Sequence, residues 1–199
     1  MSAPPQGFDG SDVITVVSGL PRSGTSMMMK MLQAGGIPSV EDGERKSDDD
    51  NPLGYFEFER VKAMSKGDTA WVADARGKVV KVISALLQHL PAQYRYRIVF
   101  MQRAMAEVLA SQKKMLVRRG EPTDKITDQD LAGLYQKHLA KIERWLAEQR
   151  NMAVLYVSYN DMVVDPEPHV VKVNQFLGGR LDTRGMTEAV RPDLHRNRA

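Results

Sequence analysis

The chain has 199 residues, 42% apolar and 27% charged, with a formal net charge of +3. That length suits one domain able to bury a core of its own, and so small a charge does not mark a nucleic-acid binder. Cysteine is absent, which excludes disulfides, thiolate metal sites and a cysteine nucleophile. No leader-like start and no apolar run of membrane-span length stand in the sequence, so a cytoplasmic protein with no membrane or nucleic-acid partner is expected.

Residues 1–11 are rich in Pro and Gly and read as a loose tail. Asp12 to Ser18 is β-branched and almost continuously apolar, the pattern of a strand buried on both faces. A Gly/Pro/Ser loop follows, then a helix over 25–34 rich in Met and Leu and closed by Gly35-Gly36. Residues 38–54 form an exposed connection whose acidic run, Asp48-Asp49-Asp50, reads as solvated loop. It leads into Asn51-Pro52-Leu53-Gly54-Tyr55-Phe56-Glu57-Phe58-Glu59. Residues 60–76 predict a helix with a break near Gly67. A second strand is expected over 78–83, a helical turn or two over 85–90 stopped by Pro91, and a third strand over 96–101. A helix over 104–118 ends in the turn Gly120-Glu121-Pro122. Thr127 and Asp130 open the next helix as a loose relative of the capping box, and it runs to about Arg150. A fourth strand over 153–157 precedes a helix over 166–177 that Gly178-Gly179 terminates. Residues 181–199 read as a basic tail, so the domain is expected over 12–180. Strands alternating with helices predict an α/β fold of three layers, a mostly parallel sheet flanked by helices.

The segment Gly19-Leu20-Pro21-Arg22-Ser23-Gly24-Thr25-Ser26 has the Gly-x4-Gly spacing of a phosphate loop. Glycine lets the backbone curl until successive N–H groups point inward, and the helix that follows adds its unpaired N–H groups and partial positive charge. A P-loop NTPase carries Lys after the second glycine, then a Ser or Thr for magnesium. Here that position is Thr25 and the cation sits inside the loop, at Arg22. A γ-phosphate would lose its lysine clamp, which disfavours the alternative of a P-loop kinase or NTPase.

Pro21-Arg22-Ser23-Gly24-Thr25-Ser26 resembles the 5′-phosphosulfate loop of the sulfotransferase family. Two distant segments resemble that family too. Val99-Phe100-Met101-Gln102-Arg103 with Ser111 eight residues on is similar to its 3′-phosphate element, although Ala104-Met105-Ala106 departs from the usual Asn/Asp-Pro-Arg/Lys. Tyr156 to Pro166, followed by Phe176-Leu177-Gly178, is similar to its strand, Tyr-Glu-Asp and Asp-Pro segment. The resemblance covers roughly residues 12–178. It implies a P-loop-type nucleotide-binding fold and 3′-phosphoadenosine 5′-phosphosulfate as donor. It also implies in-line transfer to a hydroxyl or amine of a small-molecule, glycan or peptide acceptor, with no metal. The donor-binding residues it implies are Arg22, Ser23, Gly24, Thr25, Ser26, Arg103 and Ser111, with Tyr159 near the adenine.

The same resemblance implies a catalytic lysine in the second strand, Lys81, with Lys78 as its rival on the opposite face. Position 83, where cytosolic members carry a histidine base, is Ile83. Glu57, in a segment similar to one of bacterial members, is the first candidate base. Glu59 comes next, then Glu41 or Asp42, while His89 sits apart. The four histidines, at 89, 138, 169 and 195, lack the i, i+4 pairing of a metal site. Family enzymes are usually longer. An inactive nucleotide-binding module is therefore the other alternative, and Arg191 or Arg196 would have to replace a late phosphate-binding segment. Neither the acceptor nor the oligomeric state is legible.

Overall fold

All seven residues of β1 (Val13–Gly19) are buried, as an unbroken β-branched run requires of a central parallel strand. The computed structural model describes residues 12–44, 54, 56–123 and 126–190. The expected amino-terminal tail, the run Asp48-Asp49-Asp50, residues 51–53 and 55, and Arg191, His195 and Arg196 lie outside the described residues. Among those described, β1 is flanked by β2 (Val79–Lys81) and β3 (Arg95–Gln102), with β4 (Met152–Ser158) beyond β3. Every pair is parallel, with Thr15 opposite Val79 and Arg97, and Arg97 opposite Ala153. The sequence is thus an α/β chain with a parallel sheet, as expected.

Alternation along the strands sends successive side chains to opposite faces. Ile14, Val16, Val80, Ile98 and Phe100 face one layer, where Ile142 and Leu146 of α4 (Asp128–Glu148) cover them together with Trp71, Val72 and Leu87. Val17, Val79, Val99, Met101 and Val157 face the other. There they meet the methionines of α1 (Thr25–Ala34) and Val170 and Val173 of α6 (Pro166–Leu177). Fully burying one such side chain contributes about 1.5–3 kcal/mol. The two apolar layers hold the sheet rigid beneath the loops at its carboxyl end. No helix among the described residues is long and apolar enough to cross a membrane.

Several short elements differ from expectation. The predicted helix over 60–76 is a single turn, α2 (Arg60–Ala63), followed by 3-10 segments Met64–Lys66 and Ala70–Ala75 on either side of Gly67, whose φ is +93°. Strand β2 stops at Lys81, although Val82 N–H still donates to the Val17 carbonyl at 3.0 Å. The chain then turns through a 3-10 segment, Ser84–His89. Helix α3 (Met105–Arg118) stands where a helix was predicted. A six-residue helix, α5 (Tyr159–Val164), was not anticipated; Ser158 caps it by accepting the Asp161 N–H at 3.2 Å.

Ordered structure continues past residue 180, within the segment that reads as a basic tail. The chain continues into α7 (Thr183–Glu188), capped by Asp182, which accepts the Gly185 N–H at 3.0 Å. Met186 of α7 is fully buried and Val190 is 6% exposed, both in the layer that holds the α1 methionines. One apolar anchor in a polar six-residue helix gives no periodic signal, so this segment reads as tail until its packing is seen.

Candidate active site

The loop after β1 is shaped by contacts that only glycine permits. A Cβ on Gly19, at φ +145°, would lie 2.5 Å from Ser23 Oγ and 2.6 Å from the Met101 carbonyl oxygen. A Cβ on Gly24, at φ +95°, would lie 2.3 Å from the Tyr159 ring. Between them Ser23 is buried, and its N–H and Oγ–H both donate to the Leu20 carbonyl, at 3.2 and 2.7 Å. Arg22 takes φ +70°, a left-handed conformation that costs a non-glycine residue roughly 1–2 kcal/mol. Gly24 is the N-cap of α1 and offers no side chain, and the first turn holds no acidic residue. The first-turn N–H groups of a helix have no intrahelical acceptors, so α1 presents its positive end to this loop. Thr25 is buried and Ser26 half-buried in that turn.

Residues far away in sequence close on the loop. Arg22 Nε donates to Ser111 Oγ of α3 at 2.9 Å. Arg103, just past the end of β3, donates through Nη1 to the Arg22 carbonyl at 3.1 Å and through Nε to Glu107 at 2.8 Å. Its guanidinium carbon lies 4.3 Å from the centre of the Tyr159 ring, within cation–π range. Glu107 also accepts from Asn160 Nδ2 at 2.8 Å, and Asn160 Oδ1 accepts the Ala104 N–H at 3.1 Å. Burial pushes the Tyr159 phenol up, opposed by the nearby Arg103 and Arg22 cations and reinforced by Glu107. The phenol therefore stays protonated at neutral pH.

Lys81 pairs in register with Val17, two residues before the loop, and its side chain is 8% exposed. Lys78 is exposed at the other end of β2. Glu57 lies between two cations, with Oε1 3.7 Å from Lys81 Nζ and Oε2 3.7 Å from Lys62 Nζ. Glu59 pairs with Lys62 at 2.6 Å instead. Asp42 accepts the N–H groups of Glu59 and Glu44 at 2.6 and 3.0 Å. Burial would raise its carboxyl, yet these backbone bonds prevail and hold it below the usual carboxylate range. Asp42 staples the loop and is a poor proton acceptor. Glu41 is exposed and bonded to Ser39 Oγ at 2.7 Å. His89 is exposed on the approach to the amino end of β3. Of the five candidate bases, Glu57 is the one paired with Lys81.

The structure thus gathers Arg22, Ser23, Gly24, Thr25, Arg103, Ser111 and Tyr159 at the carboxyl ends of β1, β3 and β4, where open α/β sheets bind ligands. Ser26 follows in the same turn, and Lys81 with Glu57 stands at the end of the neighbouring β2. Sequence reasoning missed Glu107, Asn160 and Lys62. The i, i+4 spacing of Arg103 and Glu107 is a visible pairing signal; Asn160 reaches its partners only through the fold. Among the described residues no group of three or more His, Asp or Glu is placed to hold a metal ion.

A parallel α/β sheet with a glycine loop between its central strand and a capless helix is a nucleotide-binding architecture. The chain belongs to the sulfotransferase domain family, whose sequence model matches residues 12–195, and it is by that membership a transferase. No curated protein matches it. Its fold is similar to that of the Mycobacterium tuberculosis H37Rv sulfotransferase STF1, with a TM-score of 0.60, 16% identity, and coverage of 90% of this chain and 70% of that one. Mouse sulfotransferase SULT7A1, complexed with PAP, gives a TM-score of 0.57 at 18% identity, covering 92% of this chain and 63% of that one. A retinol dehydratase in complex with androsterone and PAP gives 0.51 at 17% identity, covering 96% and 65%. The chain therefore spans less than two thirds of the latter two proteins.

Proposed function

We propose that this enzyme transfers a sulfuryl group from 3′-phosphoadenosine 5′-phosphosulfate to a hydroxyl or amine of a small-molecule acceptor. One observation carries the donor assignment. Arg103 Nη2 and the Ser111 hydroxyl proton have no acceptor among the described residues, although the Arg103 side chain is 7% exposed and Ser111 is 2% exposed. The Nη2 edge of the Arg103 fork and the Ser111 hydroxyl are thus left for a ligand, and a phosphate supplies acceptors to both. Ser111 meets the Arg22 side chain and Arg103 the Arg22 carbonyl, beside the loop's helix-terminal N–H groups, so two anionic groups of one ligand can be held at once. A nucleotide phosphorylated at both the 3′ and 5′ positions has that charge pattern. The mouse and retinol dehydratase structures each contain PAP, and the second contains androsterone, a small-molecule ligand.

The donor supplies a sulfur–oxygen bond whose cleavage leaves adenosine 3′,5′-bisphosphate. Loop N–H groups and Arg22 hold its 5′ end, Arg103 and Ser111 its 3′-phosphate, and Tyr159 lies alongside for the adenine. A sulfuryl group carries less negative charge than a phosphoryl group, so amides and fixed cations suffice without magnesium. Lys81 stabilises charge on the departing oxygen. Glu57 takes the proton of the acceptor as the new oxygen–sulfur or nitrogen–sulfur bond forms. A chain without cysteine suits a reducing compartment, and we place the reaction in the cytoplasm.

Calorimetry tests the donor site. Adenosine 3′,5′-bisphosphate without metal should bind at least tenfold more tightly than adenosine 5′-monophosphate. A preference for ATP with magnesium would overturn the reading in favour of a kinase or NTPase. Bisphosphate binding without transfer of labelled sulfate to any of a panel of alcohols, phenols and amines would leave a binding module in place of an enzyme.

A further inference from the structure

Asn160 stands in the segment similar to Tyr-Glu-Asp, at the place of its Glu, and closes a ring of hydrogen bonds around the Arg103 guanidinium. Arg103 has five N–H donors in a rigid fork. Its Nε is taken by Glu107 Oε2 and one Nη1 hydrogen by the Arg22 carbonyl, and its face lies on Tyr159. The two Nη2 hydrogens and the second Nη1 hydrogen are left for a ligand. Where they point depends on Glu107, a 4% exposed carboxylate at the end of a flexible side chain. Glu107 is itself held by Asn160 Nδ2 on its other oxygen at 2.8 Å. The orientation of the Asn160 amide is in turn fixed, because its Oδ1 accepts the N–H of Ala104, the residue next to Arg103, at 3.1 Å. The ring Arg103–Glu107–Asn160–Ala104 leaves none of its members free to turn alone.

We propose that Asn160, acting through Glu107, is a positioning residue that aims Arg103 and thereby sets the preference for a 3′-phosphorylated nucleotide over its 5′-monophosphate. The inference rests on the donor reading above, in which Arg103 meets the 3′-phosphate. Asn160 touches no ligand. It decides how well the fork is aimed, and a misplacement on the order of 1 Å in a charged contact is felt as a large loss.

The test is the ratio of affinities for adenosine 3′,5′-bisphosphate and adenosine 5′-monophosphate, measured by calorimetry on the full chain. Asn160→Ala should lower bisphosphate affinity by about tenfold and leave the monophosphate within about twofold, collapsing the ratio. Equal losses for both nucleotides, or an unchanged ratio, would overturn the proposal and leave Asn160 a structural residue. Asn160→Ser, which keeps a short acceptor near the Ala104 N–H, is made alongside and read by the same ratio should the alanine variant not fold. Arg103→Lys separates the two levels of the argument. If it leaves the ratio intact, the role of Arg103 fails and this inference with it. If it collapses the ratio while the Asn160 variants do not, the positioning role alone is refuted. In an Arg103→Lys background, Asn160→Ala should have no further effect on the ratio, and an additive effect would contradict action through Arg103.

Discussion

Replacing Arg103 with alanine should destabilise the protein as well as weaken its ligand, and the size of both effects follows from burial. The side chains of Arg103 and Glu107 are 7% and 5% exposed and meet at 2.8 Å. Removing one partner of such a buried pair costs about 3–5 kcal/mol, because the other charge is left desolvated without its counter-ion. In a domain of this size each kcal/mol moves the melting temperature by roughly 2–4 °C. Arg103→Ala should therefore lower Tm by roughly 6–20 °C, read by thermal unfolding without nucleotide. Exchanging both partners for apolar residues of similar volume, Arg103→Met with Glu107→Leu, removes the stranded charge and should recover most of that loss. Loss of one charge-assisted hydrogen bond of about 1.5–3 kcal/mol predicts a bisphosphate affinity lower by roughly tenfold to hundredfold. Affinity for the monophosphate should fall far less. A Tm change below about 2 °C for the single variant, or a double variant no more stable than the single one, would refute the account of a buried, ligand-facing pair.

Lys81→Ala should reduce the transfer rate by about 10²–10³, the scale for losing one donor to a developing charge, whereas Lys78→Ala at the far end of β2 should leave it unchanged in the same labelled-sulfate assay. Met186→Ala should cost about 2–5 kcal/mol in denaturant unfolding, since Met186 is fully buried in the layer that holds the α1 methionines; wild-type stability would place α7 outside the folded domain. Burial, aided by nearby Lys141, holds His138 below its ordinary value of 6.5, and its Nε2 lies 2.9 Å from the buried Ser84 hydroxyl. The unfolded chain then takes up its proton first as pH falls below 6.5. The His138 contribution is fully present above that pH and is lost towards the lower folded value, so Tm should fall less steeply on acidification in His138→Gln than in wild type.

Legibility in the sequence followed the length and regularity of each element. The seven-residue run of β1 and the glycine-punctuated turn into α1 announce themselves, because continuous β-branching and paired glycines have few other uses. Helices α4 and α6 show a 3.6-residue period with caps at one or both ends. Elements of six residues or fewer do not. α5 and α7 owe their existence to Ser158 and Asp182 caps and to a few buried side chains, and the 3-10 segments around Gly67 follow tertiary packing. Alternation alone could not choose between Lys78 and Lys81, since it gives opposite faces without saying which face or end meets the loop. Parallel pairing with β1 puts Lys81 beside Val17 near the loop and leaves Lys78 exposed at the amino end.

The chemistry at the loop also explains why an arginine sits where backbone geometry favours glycine. At φ +70° the Arg22 position suits glycine better by roughly 1–2 kcal/mol, and strain of this kind persists only where surroundings over-determine it. Here they do so from both ends of the residue. Arg103 holds the Arg22 carbonyl from the end of β3, and Ser111 holds its Nε from the second turn of α3. Two hydrogen bonds of ordinary worth, about 0.5–1.5 kcal/mol each, are enough to offset the backbone cost. The cation is thereby kept inside the loop, whereas a P-loop NTPase carries its lysine just beyond the second glycine. The loop, the β3–α3 junction and the start of α5 are consequently one electrostatic unit. The departures from the family pattern at Ala104 and Asn160 lie within that unit, where a backbone N–H and a side-chain amide have become partners.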